Sequence, residues 1–304
     1  MVRYLKYSDW LMSQYGKKIY KIPINLPGTC PNRDGMVGKG GCIFCGAVGT
    51  GFESQESSFD VLGQLERNIE YISPKYKADA YIAYFQNYTN TYLPVSRFKT
   101  LIESACIESV VGISVSTRPD CIGEPYLDAL EKIRDQYGVS IEIELGLQSA
   151  NEETLIKINR GHDVKTFVDA VKRVHSRGFS VCAHLIGNLP WDTEEDNLKA
   201  ISLLKTLGVE AVKIHSLYIL KNTVMGNMYL KGEIEIIDSD TYVDRLVTMV
   251  RHLPKDMVVQ RLFGRAPEED TLFCNWQMSW RKLQNDFEAR LESIGASQGD
   301  LDMI

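Results

Sequence analysis

The sequence contains few cysteines, seven among 304 residues, and the odd number means that they cannot all pair within one chain. A disulfide-stabilised scaffold is therefore excluded, and a reducing compartment is expected. Long apolar runs are also absent. No stretch approaches the ~18 consecutive apolar residues of a membrane span, and the first residues lack the apolar core of a signal peptide. These absences predict a cytoplasmic protein that does not contact a membrane.

An overall excess of positive charge is missing as well. The net charge of −6 argues against a protein whose whole surface binds nucleic acid. A local basic segment remains, because residues 1–33 contain six basic side chains and a single acid. Hydrophobic residues at 44% and charged residues at 24% are typical of a globular chain with a large core, which excludes a disordered, collagenous or coiled-coil protein.

Short β-rich runs recur at intervals of about 30 residues, and amphipathic helical patterns lie between them. Strands are predicted at 20–24, 78–85, 111–117, 140–147, 180–186 and 211–217, with a seventh at 257–262. Helices are predicted at 60–73, 124–136, 164–177 and 193–206, with a long C-terminal helix at 274–294. This alternation implies parallel strands with right-handed crossovers, which favours an α/β fold of the partial (β/α)6-type TIM barrel class. A doubly wound open sheet is the alternative.

The same pattern predicts a basic, aromatic N-terminal extension (1–19), a core barrel (20–265) and a C-terminal helical extension (266–304). In both candidate folds, active groups gather at the carboxyl ends of the strands. Residue pairs that are mostly polar lie at the carboxyl ends of five of the predicted strands: Gln86 and Asn87, Thr117 and Arg118, Gln148 and Ser149, Gly187 and Asn188, His215 and Ser216. We expect the functional site at this edge of the sheet.

Three of the cysteines, Cys30, Cys42 and Cys45, lie within sixteen residues of a glycine-rich loop directly after the first predicted strand. Thiolates are soft ligands that suit zinc or an iron–sulfur cluster. Three thiolates on a four-iron cluster leave one iron open to a small molecule, whereas a structural zinc normally has four protein ligands. The spacing by itself leaves both metals open, because a distant cysteine or histidine would complete a zinc site.

This loop resembles the signature of the radical S-adenosylmethionine (SAM) superfamily, whose common form is C-x3-C-x2-C with an aromatic residue before the third cysteine. Phe44 occupies that position. The first gap is longer here, eleven residues, and a lengthened gap also occurs in the branch that resembles the catalytic subunit of Elongator. The likeness covers residues 18–265 and is strongest to small bacterial YtqA/YhcC-type members. It implies a partial barrel, a [4Fe-4S] cluster held by Cys30, Cys42 and Cys45, and S-adenosyl-L-methionine as cofactor.

The resemblance also implies a set of cofactor-binding residues on or after the strands. They are Gln86, Asn87, Ser114, Ser116, Gln148, Arg160 and His184. Several of them have a plainer interpretation, since Asn87 suits a polar turn, Ser114 suits close packing and Arg160 suits a helix end. His184 replaces an acid that some relatives carry near the adenosine.

Two further residues are candidates for catalysis. Glu144 shares one face of its predicted strand with Glu142 and Gln148, because alternate residues of a strand point to the same side. Several polar groups on one face are costly to bury without partners. That face is expected to line a wet cavity. His215 lies on the sixth predicted strand, on the same face as Lys213. It is the candidate for reaching the substrate. A hydrogen-bonded core histidine is the plainer interpretation of His215.

The family resemblance implies that SAM is reductively cleaved to methionine and a 5′-deoxyadenosyl radical, which abstracts hydrogen from an unactivated carbon. An electron donor such as flavodoxin or ferredoxin would reduce the cluster. The protein's part is to exclude water and to hold the substrate carbon near the radical.

Substrate choice is indicated by the N-terminal segment, where basic and aromatic residues alternate in a composition that suits phosphate contact and base stacking. The candidate tRNA contacts are Lys6, Lys17 and Lys18, extended by the C-terminal basic residues Arg261, Arg265, Arg281, Lys282 and Arg290. Aromatics at helical spacing also suit a helix that simply packs on the barrel.

Resemblance to the Elongator-like branch favours tRNA, with the side chain at C5 of the wobble uridine as target. Conversion of a carboxymethylaminomethyl to an aminomethyl group is the specific hypothesis. Two alternatives stay open: a radical SAM enzyme acting on a small metabolite or a protein, and a non-enzymatic iron–sulfur or zinc RNA-binding module.

Overall fold

A computed structural model describes residues 3–46, 54–55 and 57–301 of the chain. Its strands are β1 (Ile19–Ile24), β2 (Ala80–Phe85), β3 (Val110–Thr117), β4 (Ser140–Gln148), β5 (Ser180–Ile186), β6 (Ala211–His215), β7 (Tyr218–Leu220), β8 (Val258–Arg261) and β9 (Thr271–Cys274). Its helices are α1 (Tyr7–Tyr15), α2 (Pro31–Asp34), α3 (Val61–Tyr76), α4 (Val95–Glu103), α5 (Glu124–Tyr137), α6 (Glu152–Lys157), α7 (Val164–Ser176), α8 (Glu194–Thr206), α9 (Val224–Leu230), α10 (Ser239–His252) and α11 (Trp280–Ser293).

The main sheet is parallel, and its strands follow one another in chain order. In the described part of the chain it has seven strands, ordered β1-β2-β3-β4-β5-β6-β8. A doubly wound sheet would reverse its order at a switch point, so this sequential order confirms the partial barrel and excludes the open sheet. The sheet curls until its edges approach, since Lys21 Nζ on β1 lies 3.2 Å from Gln260 Oε1 on β8.

The helices begin where the sequence supplies side-chain caps. Asp60 accepts a hydrogen bond from Gly63 N at the start of α3, and Thr193 forms a reciprocal capping box with Asp196 at the start of α8. The four predicted internal helices are confirmed to within a few residues. Their apolar faces pack on the outer side of the sheet, which leaves the inner side to polar residues.

The predicted C-terminal helix at 274–294 is wrong in its first part. Residues 271–274 form β9, which pairs antiparallel with β7, and the helix begins only at Trp280. The cause is tertiary: residues 275–277 all have positive φ, between 49° and 61°, which no helix accommodates. Trp276 is held there by a hydrogen bond from its Nε1 to Ile237 O.

The two chain ends pack on each other beside the barrel. The ring of Tyr4 meets that of Phe287 edge-on with centroids 5.6 Å apart, and Lys6 Nζ lies 2.8 Å from Glu288 Oε1. Gln298 accepts from Leu5 N, which ties the last turn to the first. The predicted boundaries after residues 19 and 265 stay a prediction, and their outer ends at 1–2 and 302–304 lie outside the described residues.

Aromatic residues of α1 pack beneath the barrel at the amino ends of the strands. Tyr7 and Trp10 stack with centroids 5.9 Å apart and contact the apolar cluster formed by Cys182, Ala211 and Val258. These two rings therefore pack against the barrel. This agrees with the plainer interpretation of the N-terminal aromatics, which is a helix that packs on the barrel. Across the described ranges, every helix is too short or too polar to cross a membrane.

Candidate active site

An open cavity lies at the carboxyl ends of the strands, with about 1210 Å³ of empty space including its mouth. The cysteine loop that follows β1 lies against it, and the strands supply most of the other walls. Strand register places four lining residues side by side in one layer, which are Gly146, His184, Lys213 and Arg261. Six of the ten strand-end residues named from the sequence line this cavity, and four do not. Those in the lining are Gln86, Thr117, Arg118, Gln148, His215 and Ser216, and those outside it are Asn87, Ser149, Gly187 and Asn188.

All three predicted metal ligands line this cavity. Cys30 precedes the single turn of α2, and Cys42 and Cys45 are joined by a backbone hydrogen bond of 2.9 Å from Cys45 N to Cys42 O. Gly41, next to Cys42, has φ of +84°, a conformation that favours glycine. The glycines of the sequence thus let the loop return its cysteines to one wall.

Nitrogen donors surround the thiols. Arg160 Nη1 and Asn32 Nδ2 each lie 3.6 Å from Cys42 Sγ, and Arg33 Nη1 lies 3.5 Å from Cys45 Sγ. Burial and the neighbouring Cys42 raise the pKa of Cys45, while Arg33 opposes the rise. Cationic and amide donors at this range stabilise sulfur that carries negative charge, as it does when it binds iron.

The donor set distinguishes a cluster from a single zinc ion. Zinc ligands about 2.3 Å from one ion would bring all three sulfurs within about 4.6 Å of each other. Among the described residues, the trio of ligand atoms within 4.8 Å of one another is Glu144, Cys182 and His184, and the three cysteines do not form such a trio. Three thiols on one cavity wall, with nitrogen donors around their sulfurs, are a donor set that fits a [4Fe-4S] group.

The compact trio itself is unsuited to a metal. The ammonium groups of Lys21 and Lys213 both contact Glu144, and burial raises the pKa of Cys182 well above its ordinary value of 9.0. A cation there would meet two like charges and a protonated thiol. This part of the barrel holds ion pairs instead.

The predicted cofactor residues fall into two groups. Those that line the cavity are Gln86, Ser116, Gln148, Arg160 and His184. Asn87 and Ser114 lie outside the lining. Asn87 donates to Asn25 Oδ1, and its own Oδ1 is buried without a hydrogen-bond partner in the structure. Ser114 donates to Glu142 and Glu144 below the cavity floor, which is closer to the packing role that its small side chain suggested.

The end of β4 is shaped by backbone strain. Gln148 has φ of +75°, which is uncommon for a residue with a side chain, and it follows an irregularity in the β4–β5 pairing. A Cβ on Gly146 would lie 2.6 Å from Arg160 Nη2 and 2.7 Å from Gln148 Nε2. Glycine at 146 therefore permits Arg160 and Gln148 to face the cavity together. Arg160 is held by a 2.7 Å hydrogen bond to Gly146 O, and its Nε has no partner.

Glu144 lies just beneath the lining and is fully buried. Its carboxylate lies 2.5 Å from Lys21 Nζ, 2.6 Å from Lys213 Nζ and 2.6 Å from His184 Nε2. Burial alone would raise the pKa of Glu144, but the two lysines hold it well below its ordinary value of 4.5. Glu144 therefore stays ionised and fixes two cavity residues, Lys213 and His184, from below.

His215 lines the cavity next to His184, with ring centroids 5.4 Å apart. Burial lowers the pKa of both imidazoles, and that of His215 falls well below 6.5 because the nearby His184 and Arg261 add to the effect of burial. Both rings are therefore neutral at pH 7. Neutral His184 donates through Nε2 to Glu144, which fixes its tautomer, and His215 faces the cavity.

Sequence reasoning missed several lining residues, including Tyr84, Tyr88 and Tyr218. Tyr84 lies on β2, where every residue is buried, so no alternation marked it as inward-facing. The partner of Glu144 on β1 was also missed. Lys21 was counted with the basic N-terminal segment, whereas the curled sheet places it inside the barrel with a side chain only 12% exposed.

The basic patch proposed for tRNA is smaller than the sequence suggested. Lys17 and Lys18 are exposed, but Lys6 forms an ion pair with Glu288. Arg261 and Arg265 line the cavity and do not extend an outer patch. The remaining C-terminal members have local contacts: Lys282 with Asp286, Arg290 with Asp244 and Arg281 with the ring of Trp280.

Comparison with known proteins agrees with this geometry. Residues 25–221 match the Radical SAM superfamily domain, and residues 209–293 match the Radical_SAM C-terminal domain. YtqA of Bacillus subtilis (strain 168) is 34% identical over 98% of this chain and 92% of its own length. YhcC of Escherichia coli (strain K12) is 33% identical over 88% of this chain and 85% of its own length.

Among solved structures, Elp3 of the archaeon Methanocaldococcus infernus with an N-terminal deletion has the same fold. Its TM-score is 0.70 at 17% identity, and the match covers 92% of this chain and 64% of that one. The matched superfamily uses a [4Fe-4S] cluster and SAM, and its members are enzymes, so the hypothesis of a non-enzymatic RNA-binding module is wrong. The chain belongs to the radical SAM superfamily, in a branch that resembles Elongator complex protein 3.

Proposed function

We propose that this radical SAM enzyme modifies tRNA in the cytoplasm, at the side chain on C5 of the wobble uridine. The specific reaction proposed is conversion of a carboxymethylaminomethyl to an aminomethyl group, with flavodoxin or ferredoxin as electron donor. Loss of a hydrogen atom and then an electron from the carboxymethyl carbon would give an imine, with SAM as the net oxidant. Hydrolysis of its C=N bond would leave the amine on the uridine and release the two carbons as glyoxylate. The observation that carries the choice of substrate is the cavity lining, which contains six basic side chains and no carboxylate among the described residues. A donor-rich, cationic cavity open to solvent suits a nucleotide within a polyanion.

Cys30, Cys42 and Cys45 would hold the cluster, which when bound supplies the electron for reductive cleavage of SAM. Around it, Arg160 offers an unpartnered buried Nε, and Gln86, Ser116 and Gln148 offer further polar groups to the amino acid and ribose of the cofactor. Asn87, with its unpartnered Oδ1, follows Gln86 in the chain and is held by the hydrogen bond that it donates to Asn25 Oδ1.

The deeper residues position the substrate. His215 is proposed to contact it as a neutral imidazole, and Glu144 acts through His184 and Lys213, which it holds in place. The apolar packing outside the sheet and the buried ion pairs of Glu144 beneath the cavity exclude water from one side of the cavity.

Support for tRNA also comes from the exposed pair Lys17 and Lys18, in the turn between α1 and β1. Exposed ammonium groups suit phosphate contact outside the cavity. Resemblance to the Elongator-like branch favours the wobble position.

Modified nucleosides from cells with and without the protein test this proposal. Without it, carboxymethylaminomethyl uridine should accumulate and its aminomethyl product should be lost. Expression of the wild type should restore the product, and so should Cys106→Ala, which changes a cysteine away from the cavity. Cys42→Ala should not restore it. Nucleoside profiles that do not change would reject tRNA and favour a small metabolite or a protein as substrate.

A further inference from the structure

Asn32, two residues after the first cysteine of the loop, has a fully buried side chain. Asparagine side chains are mostly exposed in proteins, so a buried one is expected to have specific partners. Its Nδ2 donates to Asn159 O over 2.6 Å and to Cys42 Sγ over 3.6 Å. One amide group thus joins the cysteine loop to the segment after α6 and also contacts a cluster ligand directly.

The orientation of this amide follows from its neighbours. If its oxygen and nitrogen were exchanged, the oxygen would lie 2.6 Å from the carbonyl oxygen of Asn159, and two acceptors would repel each other. The nitrogen therefore faces Asn159, and its second N–H faces Cys42 Sγ. The amide oxygen of Asn32 is buried without a hydrogen-bond partner, which is costly. The N–H contacts, and not the oxygen, thus explain why an amide is buried here.

The long first gap of the cysteine loop encloses this amide. Gly41 N donates to Asn32 O over 2.8 Å, so the chain between Cys30 and Cys42 folds back over Asn32. A Cβ on Gly38 would lie 2.2 Å from Asn32 Oδ1, which is far closer than two non-bonded atoms approach. The glycine at position 38 therefore leaves the space that the amide occupies.

Cys42 is the most shielded of the three cluster ligands. Its side chain belongs to a residue that is 7% exposed, whereas Cys30 and Cys45 are partly exposed. A hydrogen bond away from water is electrostatically stronger than one in water. Reduction of an iron–sulfur cluster adds negative charge that its sulfur atoms share, so an N–H donor stabilises the reduced form more than the oxidised form.

We propose that Asn32 is a positioning residue that raises the reduction potential of the bound cluster through its N–H contact with Cys42 Sγ, and that Gly38 makes room for this contact. A higher potential lets a weaker reductant supply the electron. The inference rests on the cysteines as cluster ligands and not on the choice of substrate, so it applies equally to tRNA and to any other substrate.

A potentiometric titration followed by electron paramagnetic resonance tests this role. The full-length protein is reconstituted anaerobically without SAM, and its iron and sulfide contents are measured. Asn32→Ala should lower the equilibrium constant for reduction about threefold to tenfold, which is ~28–59 mV for one electron. Asn68→Ala is the matched control and should keep the wild-type potential, because Asn68 is also buried and donates to a backbone carbonyl, that of Pro23 on β1.

A second variant displaces the amide without changing Asn32. The added Cβ of Gly38→Ala should push the amide away from Cys42, so the potential should fall in the same direction as in Asn32→Ala. The double variant should fall no further than Asn32→Ala, because the contact is already lost. Gly28→Ala is the glycine control and should keep the wild-type potential, since its Cβ would have an ordinary contact, 3.8 Å from Leu93.

The role of Asn32 is overturned if Asn32→Ala holds the wild-type amount of iron at the wild-type potential, or if the two controls fall as far. If Asn32→Ala loses the cluster, Gly38→Ala decides: an unchanged potential overturns the role, and so does loss of iron in this variant too, since the amide would then serve assembly alone. A fall in Asn32→Ala without one in Gly38→Ala rejects only the part assigned to Gly38. These measurements need no substrate, so failure of the proposed tRNA reaction leaves them unaffected.

Discussion

Replacement of Glu144 by glutamine is expected to destabilise the protein strongly, although the side chain keeps its size. The carboxylate is fully buried and lies within 2.7 Å of two lysine ammonium groups and one imidazole. A neutral amide accepts from one lysine, but its NH2 group then faces the ammonium of the other lysine or the N–H of His184. One ammonium is then left buried without a counter-ion, because the side chain of Lys213 is only 7% exposed.

Removal of one partner from a buried ion pair costs about 3–5 kcal/mol, and we expect Glu144→Gln to lower the free energy of unfolding by that amount. Urea-induced unfolding measures it. The control is Glu233→Gln, because Glu233 is half exposed and its nearest lysine nitrogen is 3.7 Å away; its expected cost is below about 0.5 kcal/mol. Adding Lys213→Met to Glu144→Gln should recover part of the loss, since it removes the surplus charge.

The effect also has a defined pH dependence. The pKa of Glu144 is depressed well below 4.5 in the folded state, so its contribution to stability is present above 4.5 and is lost as the pH falls through the folded pKa. The difference in free energy of unfolding between wild type and Glu144→Gln should be constant near neutral pH and should narrow only in acid. If this difference is below about 1 kcal/mol at neutral pH, or if it widens in acid, Glu144 is not the central counter-ion.

Three further predictions concern the metal, the RNA and the chain ends. Cys42→Ala should prevent cluster assembly, with iron and sulfide content and the visible absorption band as readouts; full iron content would reject Cys42 as a ligand, and Cys106→Ala should bind iron like the wild type. Lys17→Glu with Lys18→Glu should weaken tRNA binding and reduce its salt dependence, measured by filter binding at two salt concentrations, and an unchanged salt slope would remove this pair from the interface. Phe287→Ala should cost about 3–5 kcal/mol in urea unfolding because the ring is fully buried against Tyr4, whereas the exposed Ile294→Ala should cost little; equal small losses would show that the chain ends do not pack as described.

The sequence contained enough information for the fold and the cysteine loop, because both depend on local patterns. Strand and helix periodicity predicted the parallel order of the barrel, and the spacing of Cys30, Cys42 and Cys45 placed all three on one wall. Gly41 and its neighbours made the loop recognisable as a tight turn. The position of Gln148 at the end of a strand predicts that it lies at this edge of the sheet, whereas the cavity position of Arg160 is implied only by the family resemblance.

Contacts between distant strands were beyond sequence reasoning. Lys21 belongs to a basic segment in the sequence, yet the curl of the sheet brings it across the barrel to Glu144, 123 residues away. Arg261 and Arg265 looked like part of an outer basic patch for the same reason. Residues 275–277 were predicted as helix because their propensity permits it, and only the contact of Trp276 with Ile237 O shows why the chain turns there.

The measurement that tests the account most directly is reductive cleavage of SAM by the anaerobically reconstituted protein. With dithionite as reductant, the iron-loaded wild type should convert SAM to 5′-deoxyadenosine and methionine, and Cys42→Ala prepared in parallel should form neither. The assignment of the three thiols to a SAM-cleaving cluster is contradicted if the iron-loaded wild type forms no 5′-deoxyadenosine. It is also contradicted if a zinc-loaded preparation forms as much 5′-deoxyadenosine as the iron-loaded one.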